Sequence, residues 1–288
     1  MAASSSGSES VAAQVATAWL NVTRARERAE HQQASAERHE RLAAETGRPF
    51  HRKMADTHRR MAACHLAAAR LQESYARRVT AWLVDRGARP PVFMAGVAEA
   101  CGARSAALTL VGADLNQLAV AASSQSARSA QDLEYVLGAG PAVEATRDNR
   151  LVAAAGPAIE ARWPCYGSAL AALGVAAVVA VPLRTPAGSI GALTVFDPRP
   201  GWAESGIIVE VADALSVGGV LLGPDGDPGL YGGADHRPVV HQAAGRLAEQ
   251  QQCSISDALA LIKARAFATG EPLETVAQQI TLGATRLE

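Results

Sequence analysis

The chain has 288 residues, enough for two or three domains with cores of their own. Hydrophobic residues make up 49% and charged residues 19%, which excludes a disordered or fibrous chain. The net charge of −1 excludes whole-chain attraction to nucleic acid or to an anionic membrane, so any such site has to be local.

Cys64, Cys101, Cys165 and Cys253 are scattered without a C-x-x-C pair and read as reduced thiols rather than a disulfide framework. Residues 1–10 are small and polar, without a signal-peptide layout, and are expected to form a disordered tail. The longest apolar run, Val175 to Leu183, is too short to span a bilayer, so a cytoplasmic protein with no membrane partner is expected.

Between residues 11 and 86 the pattern is helical. Val11, Val15, Ala18, Val22, Ala25, Ala29, Gln32, Ala36, His39 and Ala43 alternate by four and three. Thr46-Gly47-Arg48-Pro49 then breaks the helix. His51, Met54, His58, Met61, His65, Ala68, Gln72, Tyr75, Val79 and Trp82 follow as a second seam. Two heptad seams joined by a short loop predict an antiparallel helical hairpin or coiled coil. So Ala-rich a seam buries little area, and a further partner is expected, for which a second copy of the hairpin is one candidate. His51, His58 and His65 recur beside Met54, Met61 and Cys64. Such donors suit a soft metal, but ligands seven residues apart lie about 10 Å apart along a helix, too far for one ion without the other helix. An antiparallel hairpin can bring His39 opposite His58 and so supply a ligand from the other helix. The other reading is that these side chains fill the seam, and no metal is expected.

From 88 to 222 the period changes. Arg104–Val111 with Gln117–Ser123, and Ala176–Leu183 with Ser189–Phe196, read as two strand pairs. Helices are expected at Val92–Cys101 and Ser205–Leu221, giving an α+β layout. In order along it stand Gly138-Ala139-Gly140-Pro141-Ala142, Trp163-Pro164, Gly174-Val175, Val181-Pro182-Leu183 and Gly191-Ala192-Leu193. This series resembles the GAF domains that precede ANTAR modules in actinobacteria. That resemblance implies a sensor fold with an antiparallel sheet and a pocket over one sheet face. Ala142 stands where those relatives have Cys, and Ala139 where they have an acid. Leu137, Gly140, Trp163 and Tyr166 are the candidates to line a pocket for a small molecule, with core filling by Trp163 the alternative. Nothing resembles a nucleophile–base pair, a phosphate loop or a carboxylate pair, so neither an enzyme nor a cofactor is expected. Residues 223–234, with Gly223-Pro224-Asp225-Gly226 and Gly232-Gly233, read as an interdomain linker.

The last unit, 235–288, carries three amphipathic segments. Val240, Ala243, Ala244 and Leu247 form the first apolar face. Ile255, Ala258, Leu259, Ile262 and Ala266 form the second, behind the capping-box spacing of Ser254 and Asp257. Gly270 is a stop, Pro272 suits the first turn of a third helix, and Leu273, Val276, Ala277 and Ile280 form its face. The runs Gln242-Ala243-Ala244-Gly245, Ala258 to Ala268 and Leu273-Glu274-Thr275-Val276-Ala277 resemble the ANTAR domain, an RNA-binding module of bacterial transcription antiterminators. The resemblance implies that paired modules hold a leader RNA with two hairpins, and so a homodimer. His241, Gln242, Arg246, Lys263, Arg265, Thr275 and Gln278 are the expected RNA contacts. From Asp235 onward, however, five Arg/Lys face six Asp/Glu. A dimeric small-molecule sensor or protein-interaction scaffold whose tail no longer binds RNA therefore stays open as the alternative.

Overall fold

A computed structural model of the protein describes residues 3–85, 91–112, 115–221 and 238–283; the expected linker, 223–234, lies outside them. Helices α1 (Ala3–Thr46) and α2 (Pro49–Asp85) form the hairpin. Its antiparallel sense follows from the pairs Arg26 with Glu73, Gln32 with His58 and His39 with His51. Helix α1 begins at Ala3, within the stretch expected as a tail.

The α1 seam is as expected, with Ala18, Val22, Ala25, Ala29, Ala36 and Ala43 buried. The α2 seam keeps His65, Tyr75 and Val79 buried as expected and shifts by one position elsewhere. Ala55, Ala62, Ala69 and Ala76 are buried, while Met61 is exposed. Alanines facing alanines let the two axes approach closely, and a methionine at those positions would hold them apart. The soft-metal face is thereby split. Among the described residues no group of three His, Cys, Asp or Glu is disposed to hold a metal ion.

The hairpin tip is closed by imidazoles instead. His39 stacks on His58 with ring centroids 5.4 Å apart, and the Nδ1 atoms of His39 and His51 lie 3.0 Å apart. One ring must donate and the other accept, so at least one of the two Nδ1 atoms is unprotonated. The pKa of His39 is held below its ordinary value of 6.5 by partial desolvation and then by His51, His58 and Arg38. A histidine kept neutral by the fold contributes stability that is present above its unfolded pKa and lost as pH falls from there through the lower folded pKa. We therefore expect His39 to titrate below 6.5 in a proton NMR titration, with the tip loosening as it does; titration at or above 6.5 would contradict this.

The middle unit is one antiparallel sheet between helical layers. In chain order it comprises α3 (Phe93–Ala100), β1 (Ala103–Val111), β2 (Gln117–Ala122), α4 (Gln125–Leu137), α5 (Pro141–Asp148) and β3 (Val152–Ala155). After these come α6 (Pro157–Arg162), α7 (Pro164–Ala172), β4 (Ala177–Thr185), β5 (Gly188–Pro198) and α8 (Ile207–Leu221). The strand order is β2-β1-β5-β4-β3. The four expected strands and two expected helices are present, and β3 with α4 to α7 are additions.

Both sheet faces are buried, which explains why the strands read as near-continuous apolar runs. Ala106, Leu108, Val179, Val181, Leu193 and Val195 point to a layer made by α3, α8 and the second half of α2, where Leu71, Tyr75 and Val79 complete the core. The partner that the thin hairpin requires is thus this unit of the same chain. Ala107, Val178, Ala180, Ala192 and Phe196, the alternate residues, point to α4, α5 and α7.

Candidate functional site

The last unit folds as the periodicity predicts, into α9 (Pro238–Gln251), α10 (Ile255–Thr269) and α11 (Leu273–Thr281). Its core holds Val240, Ala243, Ala244, Leu247, Ala258, Leu259, Ile262, Ala266, Leu273, Val276, Ala277 and Ile280. Ile255, expected on the apolar side, is 59% exposed. Ser254 caps α10 by accepting from the Asp257 N–H at 3.1 Å, and Gly270 ends it in the left-handed conformation at φ +67°.

This unit does not stand apart. Helix α10 lies against α4 of the middle unit, and Tyr135 of α4 is part of the core of the three helices. Arg128 of α4 donates to Glu274 of α11 at 3.1 Å. The ammonium of Lys263 sits 3.9 Å from the centre of the Tyr135 ring, close enough for cation–π attraction.

That docking divides the expected RNA contacts. Lys263 and Arg265 are two positions apart on a helix, about 200° in rotation, so they point to opposite sides. Lys263 faces the middle unit, and Arg265 faces solvent and has no ion pair among the described residues. Arg246, on the exposed side of α9, donates to the carbonyl of Thr281 at 2.6 Å and so caps the end of α11. Gln242 and Gln278 are exposed, whereas His241 and Thr275 are half-buried. The geometry does not bring the seven together as one patch.

Beneath Lys263 is a cavity of about 230 Å³ among β1, β2, α4, α5 and α10. A line of buried polar side chains forms its floor. Gln117 donates to Thr109 at 3.5 Å, Thr109 donates to Gln131, and Gln131 donates to Glu134 at 3.4 Å. The Glu134 carboxylate also accepts from the Val143 N–H at 2.7 Å, in the first turn of α5. Val111, Leu115, Val143 and Tyr135 add apolar wall, and Arg147 and Lys263 add positive charge.

Gly140 is a condition of this arrangement. At φ +158°, a Cβ there would fall 2.6 Å from the Glu134 carboxyl carbon. Gly140 thus lets the chain pass close over the acid, although it does not line the cavity. Nor do the other three expected pocket residues. Leu137 packs half-buried against the inner core; Trp163 and Tyr166 are 6% and 1% exposed within it, their rings edge to face at 6.3 Å. The Trp163 indole donates to Glu144 at 3.2 Å, so core filling is its role here. Glu144 also accepts from Arg162 and Arg150. These bonds, that from Arg162 foremost, hold its carboxyl below the usual range. Thr109, Gln117, Gln131, Glu134 and Arg147 were not singled out from the sequence. Thr109 and Gln117 carry a signal, being polar residues at inward positions of apolar strands.

Burial pushes the Glu134 pKa up to about 7 from an ordinary 4.5, despite the backbone N–H groups of Val143 and Ala142 that favour its charge. The acid therefore keeps its proton in the folded state at pH values where the unfolded chain has lost it. Its ionisation costs stability progressively between 4.5 and about 7, and the full cost is present above that window. Glu134→Gln removes the charge and keeps a side chain able to accept. We expect the gap in unfolding free energy between the variant and the parent to widen with rising pH across that window, by at most about 3 kcal/mol. Urea titrations at three pH values test this, and parallel stability curves would overturn it.

Comparison with known families accounts for these two units. Residues 91–218 match the family model of the GAF domain, and residues 232–280 match that of the ANTAR domain. Comparisons with curated proteins and with solved structures each found no match. Among the described residues no helix is long and apolar enough to cross a membrane.

Proposed function

We infer, from the premise that this chain is a protein with a GAF domain followed by a C-terminal ANTAR domain, that it is a signal-responsive transcription antitermination regulator. The ANTAR domain binds RNA, and the GAF domain governs that binding. Two copies of the chain each take one hairpin of a two-hairpin leader transcript, so pairing raises affinity through effective concentration. RNA hairpin loops are read by shape, stacking and hydrogen bonds, with cations on phosphate, and Gln242, Arg265 and Gln278 are exposed for this.

The observation that carries the reading is the position of α10. One face of this helix touches the sensor through Lys263, and the other offers Arg265 to solvent. A change in the sensor thereby reaches a residue of the RNA-binding domain directly.

A second reading, a dimeric sensor or scaffold with protein partners, draws support from Leu261 and Phe267, which are 43% and 62% exposed on α10. Binding of a two-hairpin leader RNA at low and high salt separates the two. Tight, salt-sensitive binding is the expected result. No binding by dimeric protein at low salt would overturn the antitermination reading in favour of the scaffold.

A further inference from the structure

The loop end of the helical hairpin carries a charge opposite to that of the rest of the chain. Residues 38–60 hold seven Lys/Arg against three Asp/Glu, and the remaining residues hold twenty against twenty-five. Two of the three acids, Glu40 and Asp56, are both taken up by Arg59. Arg38, Arg41, Arg48, Arg52 and Lys53 are exposed and have no ion pair among the described residues. Phe50 stands between Arg48 and Arg52, 62% exposed, its ring beside those of His39 and His51. The hairpin meets the middle unit through Leu71, Tyr75 and Val79, so the tip lies about 30 Å along α2 from that core. Like charges crowded at one loop and a phenyl ring left in water both cost stability. Neither is needed to turn the chain, since Gly47 supplies the left-handed residue at φ +64° and Pro49 opens α2.

We propose that this tip is a second RNA contact, which holds a single-stranded stretch by stacking a base on Phe50 and setting Arg48, Arg52 and Lys53 on the phosphates beside it. Every base offers a π face, so stacking of this kind needs no particular sequence. Four of the five unpaired cations are arginines, whose planar forks match phosphate oxygens in pairs. From Asp235 onward the chain has five Arg/Lys against six Asp/Glu, so strong attraction to phosphate has to come from elsewhere in it. An acidic protein surface would pair with the cations but leave the phenyl ring without a planar partner. A membrane would need a broader apolar face, and Phe50 is the one large apolar side chain exposed between residues 38 and 60. The hairpin and the last unit pack on opposite faces of the sheet, so a transcript held by both runs past the sensor domain. The proposal rests on the regulatory reading above for the identity of its partner.

The probes are an oligouridylate, which stays single-stranded, and an RNA of two stem-loops joined by a single-stranded linker. Each is titrated with the full chain by fluorescence anisotropy across a salt series. Arg48→Gln, Arg52→Gln and Lys53→Gln together are expected to weaken oligouridylate binding about tenfold or more at low salt. They should also flatten its log–log salt slope by about 2, since each single-strand phosphate contact contributes about 0.7. Phe50→Leu keeps the apolar bulk but loses the stacking face, and is expected to weaken binding about fivefold or more. Phe50→Trp restores that face and is expected to bind as the parent does. Unchanged helix content by circular dichroism separates these losses from unfolding. Parent-like oligouridylate binding by Phe50→Leu or by the triple variant would overturn the proposal. Polyglutamate binding as tightly as oligouridylate would overturn it in favour of an acidic protein surface. Capture by phosphatidylglycerol vesicles without oligouridylate binding would overturn it in favour of a membrane. The regulatory reading fails separately. If the tip variants lost oligouridylate binding while the two-hairpin RNA bound no tighter than oligouridylate and ignored Arg265→Ala, the antitermination reading would fall and the tip would stand. If Arg265→Ala weakened the two-hairpin RNA and the tip variants bound both probes as the parent does, the tip would fall and the reading would stand.

Discussion

Arg265→Ala is expected to weaken two-hairpin RNA binding by the full chain several-fold, and Lys263→Ala to weaken it less. Arg265 is exposed and has no ion pair among the described residues, so its whole charge is available to a phosphate. Losing one phosphate contact should flatten the slope of log affinity against log salt by about 0.7 to 0.9. Lys263 starts from a different position. It must leave the Tyr135 ring, 3.9 Å away, before it reaches RNA, and a cation–π contact at such a site is worth about 0.5 to 2 kcal/mol. Its removal subtracts a phosphate contact and also loosens the dock, and the two effects oppose each other. Arg128→Ala isolates the second effect. It breaks the bridge to Glu274 and lies outside the RNA-binding helices, so it should raise affinity by up to about fivefold. Fluorescence anisotropy across a salt series measures all three. Lys263→Ala proving the more damaging of the pair, with Arg128→Ala neutral, would mean that docking does not compete with RNA.

Gly191→Ala is expected to abolish cooperative folding of the sheet. Gly191 pairs with Leu110 across β1 and β5 at φ +151°, and a Cβ there would stand 1.9 Å from the carbonyl oxygen of Thr109. The obstacle is backbone of the neighbouring central strand, and no side-chain rotation can relieve it. A cost above about 4 kcal/mol is a large share of the stability of an ordinary domain, about 5 to 15 kcal/mol. Gly188 has a similar φ of +133° but nothing within 4 Å of its added Cβ, and serves as the control. Gly188→Ala should cost only backbone strain, of order 1 kcal/mol or a little more. Urea unfolding of both variants decides the matter, and near-parent stability in Gly191→Ala would refute the steric argument.

The parts of the fold that were legible in the sequence are those whose buried side chains are apolar and regularly spaced. The three C-terminal helices and the four long strands fall in this group, and so does the α1 seam. Helix α4 was hidden because two of its buried positions are Gln131 and Glu134, which erase the hydrophobic period. Strand β3 has four residues, Val152 to Ala155, too few to show alternation. His65, Tyr75 and Val79 of the α2 seam were legible, but the positions taken for Met54 and Met61 belong to Ala55 and Ala62, because methionine outranks alanine in a reading by hydrophobicity, whereas close helix contact selects the smaller side chain. The C-terminal cations were legible as candidates, but their division between two faces was not, since it depends on where α10 docks. The cavity escaped for a related reason. Its floor joins β1, β2 and α4, and its charge joins α5 to α10, partners that only the tertiary fold assembles.

Both sides of the contact between α4 and α10 belong to one polypeptide. Sixteen residues, 222–237, separate α8 from α9. On the proposed reading, undocking of the last domain from the sensor is a step within one molecule, separate from the pairing of two copies, and the fraction undocked does not depend on how many molecules the cell makes. On that reading, a cell that doubled its supply of this protein would double the undocked pool, yet the signal level that undocks each molecule would stay where it was.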